Sequence, residues 1–460
     1  MQLELKSLDA LLEAVKKLDA GFGGLPAFES GAPGMERLAE ALGATAERLR
    51  ENYPYFHPLY AGQMLKPPHP VARLAYALAM WINPNNHALD GGRATSAMEK
   101  EAVAEIAAMF GWKNFLGHLG GGGTMANLEA LWVASRVHPG KKILASEQAH
   151  YTHKRISAVL QLPFESVACD AQGRMELDAL AKRVARGDVG TVVATMGTTA
   201  TGSVDTMPEI LGLRETYGFR VHADAAYGGY FKLAGNLGKA AARAFARIGE
   251  ADSIVIDPHK HGLQPYGCGC VLFRDPTVGR FYKHDSPYTY FSSAELHLGE
   301  ISLECSRPGA AAAALWATQR LLPLERGGEF ARGQEQGREA ALAFYKRLEG
   351  DERFATAFEP ELDIVVFAPR AKSVTEASAL SRRIFEAAAK RNLHLAVAEL
   401  PTAFWAGNLG AMKRDRETMT CLRSVLMKPE HLEWIPRIWE ELSVATSEVL
   451  GAEGAASSAR

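Results

Sequence analysis

A rhythm that begins near residue 96 constrains the fold most: short, apolar, β-branched runs alternate with helical stretches. Helical SAMEKEAVAEIAAMFG leads through a glycine-rich turn to helical TMANLEALWVASRV, and the run KKILAS follows. Helical LDALAKRVAR precedes TVVATMG, LRETYG precedes FRVHADA, and ADSIVIDP comes after a further helical stretch. Runs this short and apolar suit strands covered on both faces. Their alternation with helices predicts α/β architecture with a mainly parallel sheet.

After about residue 325 the texture changes. A helical stretch leads to LDIVVFAP, then to helical VTEASALSRRIFEAAAKRN, then to LHLAVAEL and CLRSVLM. This pattern predicts a smaller C-terminal α+β domain. Residues 1–60 read as helix and loop, with Leu8, Leu11, Leu12, Val15 and Leu18 at helical spacing. The stretch VARLAYALAMWI (71–82) predicts a helix ending at Asn83-Pro84, because the residue before proline avoids helical geometry. The expected division is an N-terminal helical segment over 1–88, a large domain over 89–325 and a small domain over 326–460.

Composition removes several function classes. With 460 residues, 47% of them hydrophobic and 23% charged, the chain has ample material for a large core. Lys+Arg is 51 against 53 for Asp+Glu, so the net charge is -2 and no basic excess awaits a nucleic acid. No uninterrupted apolar run reaches the ~18 residues of a membrane span. The opening MQLELKSLDALLEAVKKL is broken by Glu4, Asp9 and Glu13 and does not read as a secretion signal. Five cysteines form neither a disulfide framework nor a zinc set, and Cys268 and Cys270 stand too close for an easy bridge. Reduced thiols in a cytoplasmic protein are the expectation.

In open parallel sheets, ligands collect at the carboxyl ends of strands. KKILAS runs into His150, TVVATM into Thr198-Thr199, FRVHA into Asp224 and SIVI into His259-Lys260. Upstream, Gly120-Gly121-Gly122-Gly123-Thr124 opens a helix. Glycines let a backbone approach an anion, and a helix start offers free N–H groups. The glycine run is not the phosphate loop of nucleotide hydrolases, because no Lys-Ser/Thr follows it. A glycine run alone is an ordinary turn, a lone lysine after a strand is usually solvated, and a lone aspartate there is usually a cap. Together a phosphate cradle, an acid and an amine point to pyridoxal 5'-phosphate. Its aldehyde needs an amine, here Lys260, and its ring nitrogen needs an anionic partner, here Asp224. His150 suits the ring face, and His259 with residues 122–124 suits the phosphate.

DPHKHGLQPYG around Lys260 and HADAAYGGYF around Asp224 resemble the lysine and aspartate motifs of the group II pyridoxal-phosphate amino-acid decarboxylases. GGTMAN and EQAHYTHKR resemble that family's phosphate and ring-stacking segments. The resemblance spans roughly residues 50–430. INPNN (82–86), MEKE (98–101), QAHY (148–151) and SRPGAAAAALW (306–316) bring the chain nearest to the bacterial tyrosine decarboxylases, which are longer.

The resemblance implies a fold-type I aminotransferase-like large domain and a homodimer with active sites at the subunit interface. It implies catalytic roles for Lys260, Asp224, His150 and Tyr288, with Tyr290 as the alternate loop proton donor. It implies cofactor contacts from Gly123, Thr124, His150, Thr199, His222, Asp224, Ala226, His259 and Lys260. Arg423 and Tyr266 would meet the substrate. No metal is implied. The expected reaction is decarboxylation of an L-amino acid to the amine and carbon dioxide.

Tyr60, Trp81, Tyr266 and Phe291 would wall an aromatic substrate. Gln63, Asn85, Asn86, His87 and Arg93 would instead suit aspartate or glutamate. A pyridoxal-phosphate lyase, a decarboxylation-dependent aldehyde synthase, an aminotransferase and a non-catalytic paralogue are the competing classes.

Overall fold

The computed structural model describes residues 5–26, 31, 34–283 and 297–458, with residues 452–458 described by backbone alone. Among the described residues, seven strands form one sheet: β1 Leu116–Gly120, β2 Lys142–Ser146, β3 Phe164–Val167, β4 Val189–Thr195, β5 Arg220–Asp224, β6 Ser253–Ile256 and β7 Gly269–Phe273. The order across the sheet is β1-β7-β6-β5-β4-β2-β3. Only β7 runs against its neighbours. The other pairings are parallel, as the apolar runs predict. All seven residues of β4 are buried, which is why that run shows no alternation of apolar and polar positions.

The register sets the carboxyl ends level. Asp224 at the end of β5 pairs with Thr195 on β4 and with Val255 on β6. Leu144, Val192, Val221, Ala223, Ile254 and Leu272 carry the sheet's side of the core, and helical Ile106, Leu211 and Phe245 cover it. The helix expected over 71–82 spans Pro70–Met80. β1, β3 and β7 were not among the expected strands.

A second sheet, ordered β10-β11-β9-β8, is antiparallel: β8 Phe354–Thr356, β9 Ile364–Pro369, β10 Ala396–Pro401 and β11 Thr418–Val425. Helices Glu329–Glu349, Val374–Lys390 and His431–Ser458 pack on it and on one another. Ile364, Val425 and Met427 join the core of the larger sheet, so the two sheets share apolar packing.

Just after β11, Lys428 is buried and donates from Nζ to the Tyr60 carbonyl at 2.6 Å, pinning the N-terminal segment to this sheet. Burial, reinforced by the charge of Lys66, pulls the Lys428 ammonium down to about 7. From about pH 7 to the ordinary lysine range at ~10.4 this group is protonated in the unfolded chain and neutral in the folded one, so it makes stability rise with pH by up to about 1.4 kcal/mol per unit, and Lys66, lowered by burial to about 8, acts in the same direction from there. Cys268, Cys270 and Cys421, all held high by burial, oppose this once free thiols ionise near pH ~8.5. The thermal midpoint is expected to climb between pH 7 and 8.5, and Lys428→Met to flatten that climb. An unchanged slope in the variant would refute the assignment.

Candidate active site

The carboxyl ends of β1, β6, β5, β4 and β2 open onto one cavity of about 350 Å³. Its walls include Gly121 to Met125, His150, Thr199, Asp224, Ala226, Asp257, His259, Lys260 and Tyr266. Four chemically loaded strand ends meet there because parallel strands all present the same end.

The glycine turn leads from β1 into helix Gly123–Val137, whose N-cap, Gly122, has φ 140° and gives no side-chain cap. That φ favours glycine. A Cβ at Gly123 would stand 2.7 Å from the Asp257 carboxylate, so the turn accepts only a bare backbone at that point. The helix's first amides have no acceptor within the helix. Residues 123–125 line the cavity, and that end of the helix is an anion cradle.

Lys260 lies in the loop after β6, with Nζ 3.1 Å from Asp257 Oδ2. Asp257 is buried, its Oδ1 has no hydrogen-bond partner, and its Oδ2 stands 3.6 Å from His259 Nε2. It is a second carboxylate beside the cradle, offset by the lysine, and sequence reading passed over it. His259 Nδ1 bonds the Cys268 carbonyl at 2.8 Å, and its ring lies 4.9 Å from that of Tyr266. Burial pulls the His259 imidazole below its ordinary range, so it stands neutral at pH 7. Tyr266 donates its hydroxyl to the Met64 carbonyl at 3.0 Å.

Asp224 accepts from His153 Nε2 at 2.7 Å and from the Ala226 N–H at 3.2 Å. Burial pushes its carboxyl up, but the His153 hydrogen bond, helped by the nearby Lys260 ammonium, outweighs that and holds it well below the usual carboxylate range. His150 lines the cavity opposite, its imidazole lowered chiefly by burial. Thr199 and His150 also line a second hollow that Arg423 reaches from β11. The buried Arg423 guanidinium donates to the carbonyls of Thr199 at 2.7 Å, Ala200 at 3.1 Å and Gly62 at 3.4 Å, and to Gln63 Oε1 at 3.1 Å. All four acceptors are neutral.

The region matched by the family described as "Pyridoxal-dependent decarboxylase conserved domain" is residues 129–370, more than half of the chain. The chain belongs to the pyridoxal-dependent decarboxylase family. The matched span holds His150, Thr199, Asp224 and Lys260, while the glycine turn and Arg423 lie outside it. Among curated relatives of this decarboxylase family, an Enterococcus faecium L-tyrosine decarboxylase is 29% identical over 63% of this chain and 64% of its own length. The chain thus spans less than two thirds of that relative. A Methanothermobacter thermautotrophicus protein named probable L-tyrosine/L-aspartate decarboxylase is 28% identical over 66% of this chain and 82% of its own length. Mouse CSAD superposes with a TM-score of 0.75 at 21% identity, covering 96% of this chain and 99% of that one. Oryza sativa TDC gives a TM-score of 0.75 at 19% identity, covering 97% of this chain and 99% of that one. These two share the fold.

A pyridoxal cofactor goes with the family, and the residues present fit it. The cavity offers a side-chain-free helix start for a phosphate, a primary amine for an aldehyde and a buried ionised acid for a ring nitrogen. The structure departs from expectation at two residues. His222 does not line the cavity. It sits two residues before Asp224 on β5, fully buried between Ser253 Oγ at 2.9 Å and Asn127 Oδ1 at 2.8 Å, and Asn127 reaches the cavity in its place. Burial lowers the His222 imidazole to about 3, which keeps it neutral.

Asn86 is likewise removed from any substrate. It is fully buried, donating to Glu99 Oε2 at 2.6 Å and accepting from Thr95 Oγ1 at 2.6 Å. Glu99 in turn accepts from the Leu119 N–H at 3.0 Å and from Arg307 at 2.8 Å, so this network braces β1 from behind. Asn86→Ala is expected to lower stability by about 2 kcal/mol, the cost of stranding buried polar partners, with the substrate KM unchanged. Denaturant melts and steady-state kinetics check this, and a KM shift with unaltered stability would restore the substrate role. Tyr288, Tyr290 and Phe291 lie outside the described residues.

Proposed function

We propose that the protein decarboxylates an L-amino acid to the amine and carbon dioxide, with an aromatic, tyrosine-like substrate. One observation carries the reading: Lys260, Asp224 and the uncapped helix start at Gly123 face one cavity in a chain of this family. The relatives named L-tyrosine decarboxylases support the choice of substrate. The relative named for both tyrosine and aspartate keeps an acidic amino acid as the second reading.

When bound, the pyridoxal ring supplies a sink for the electron pair of the breaking bond. Lys260 Nζ is the amine that would hold the cofactor's aldehyde carbon. The amides of Gly123 and Thr124, with neutral His259, would hold its phosphate. Asp224, kept ionised, would secure a proton on the ring nitrogen, and His150, Thr199 and Ala226, which line the same cavity, would hold the ring.

Arg423 is a buried cation whose present partners are all neutral, and a substrate carboxylate would be a stronger acceptor. Fixing that carboxylate would orient the bond that is to break. Tyr266, exposed on the cavity wall, would meet the substrate. In this reading Tyr288 delivers the proton to the carbon that loses the carboxylate.

The reading includes a homodimer. Helices Ser7–Ala20 and Met35–Leu49 bury none of their residues, and Leu8, Leu12, Leu38, Leu42 and Leu49 are exposed along them. Apolar stripes of this kind suit a second subunit. The reading also places the protein in the cytoplasm, supported by five free cysteines. No helix among the described residues is long and apolar enough to cross a membrane.

The test is to incubate the purified, pyridoxal-phosphate-loaded protein with each common amino acid and read amines and carbon dioxide by mass spectrometry. Tyramine or another aromatic amine is the expected product. β-Alanine or γ-aminobutyrate would replace the substrate with an acidic one. An aldehyde with ammonia would move the protein to the aldehyde synthases, and no gas release would overturn decarboxylation.

A further inference from the structure

His153 touches Asp224 without itself lining the cavity. It sits in the first turn of helix Thr152–Val159, three residues after His150, and is fully buried. Its Nε2 is 2.7 Å from Asp224 Oδ2, while the Ala226 N–H holds Asp224 Oδ1 at 3.2 Å. An ionised carboxylate only accepts, so Nε2 carries a proton toward it. Nδ1 is buried with no hydrogen-bond partner. Stranding a ring nitrogen in the interior is costly. The compensating gain lies on the other nitrogen, in a charge-assisted bond to the one acid that faces the ring site.

We propose that His153 is a positioning residue that sets how strongly Asp224 grips the ring nitrogen of bound pyridoxal phosphate. The proposal rests on the reading that the cavity holds that cofactor. His153 acts on Asp224 in two ways. With the Ala226 amide it fixes both carboxylate oxygens, so the carboxylate plane cannot turn away from the cavity. It also favours the ionised form against burial, and the depressed proton affinity of Asp224, with the His153 bond as its largest favourable cause, agrees with this. His222, whose ring centroid lies 6.3 Å from that of His153, is bonded elsewhere and cannot substitute as donor.

The experiment compares two ligands on the cofactor-free protein: pyridoxal phosphate, and its analogue with the ring nitrogen replaced by carbon. Dissociation constants are read by fluorescence titration. His153→Leu removes the donor at similar volume, and His153→Gln returns an N–H. In the wild type the analogue is expected to bind more weakly. In His153→Leu the ratio of the two constants is expected to fall by about 10-fold or more, the worth of a hydrogen bond to a charged group, and His153→Gln to recover most of it. A ratio unchanged in His153→Leu, even if both constants move together, would make His153 plain packing and overturn the proposal.

Should His153→Leu not fold, the wild type decides. With ¹⁵N-labelled histidine, the Nε2–H resonance of His153 is expected to shift on adding pyridoxal phosphate and to stay in place with the carbon analogue. Equal response to both ligands would overturn the proposal. Failure of the wild type to bind either ligand would instead overturn the reading of the cavity, and the proposal with it.

Discussion

Replacing Lys260 with alanine is expected to reduce turnover by about 10⁴-fold or more, the scale on which enzymes lose activity when a covalent nucleophile is deleted. Lys260 stands in the loop after β6 with its amine on the cavity wall, 3.1 Å from Asp257. Among the described residues no other lysine lines the cavity. Borohydride reduction of the loaded wild type should therefore leave the cofactor's mass on the peptide that contains Lys260. In Lys260→Ala the visible absorbance of the bound cofactor should vanish, while the helix start at Gly123 and Asp224 remain to hold the molecule without a covalent link. The variant is expected to fold, since Lys260 is a partly exposed side chain in a loop. Label on a different lysine, or residual turnover near that of the wild type, would remove Lys260 from its role.

For Asp224→Asn the expected loss in kcat is about 100- to 1,000-fold, the scale on which a preorganised electrostatic contact acts. The amide keeps the volume and can accept from either His153 or the Ala226 N–H but not both, and it carries no charge to hold a proton on a ring nitrogen. Cofactor affinity should fall as well. Melting curves separate this from misfolding, because Asp224 is buried and its replacement leaves the Ala226 N–H facing an amide nitrogen in one of two orientations. A kcat within threefold of the wild type would show that another group carries the charge.

Most of the site lies in segments whose sequence declares their structure. Asp224, Thr199, Lys260 and His150 follow apolar β-branched runs, and in a parallel sheet such runs all deliver their ends to one edge. β1 is different. LGHLG has two glycines and a histidine and little intrinsic strand tendency. It is a strand because β7 pairs with it, and Gly117 is needed where a Cβ would strike Leu272 at 2.5 Å. β7 itself begins inside Gly-Cys-Gly, which reads as a turn.

The polar stretch NPNNHALDGG looks like a solvated mouth, yet Asn86 within it is sealed inside by Glu99 and Thr95. Burial of a polar residue depends on partners distant in sequence, and the neighbouring letters do not show it. His153 gave no signal for the same reason: one histidine on an eight-residue helix has meaning only once β5 brings Asp224 beneath it.

The strand order works as a ruler. From β1, which carries the anion cradle, to β5, which ends in Asp224, there are three steps across the sheet through β7 and β6. Neighbouring strands are spaced by hydrogen bonding at about 4.8 Å, so the two stations stand about 14 Å apart along the sheet edge before their loops reach toward each other. Lys260, from the loop after β6, falls between them. This spacing belongs to the backbone ladder and does not depend on the loops that face the second sheet. Gln63 and Arg423 enter from outside the ruler, on the N-terminal segment and β11. Remodelling on that side can change which molecule is admitted while the graduations beneath it stay where they are.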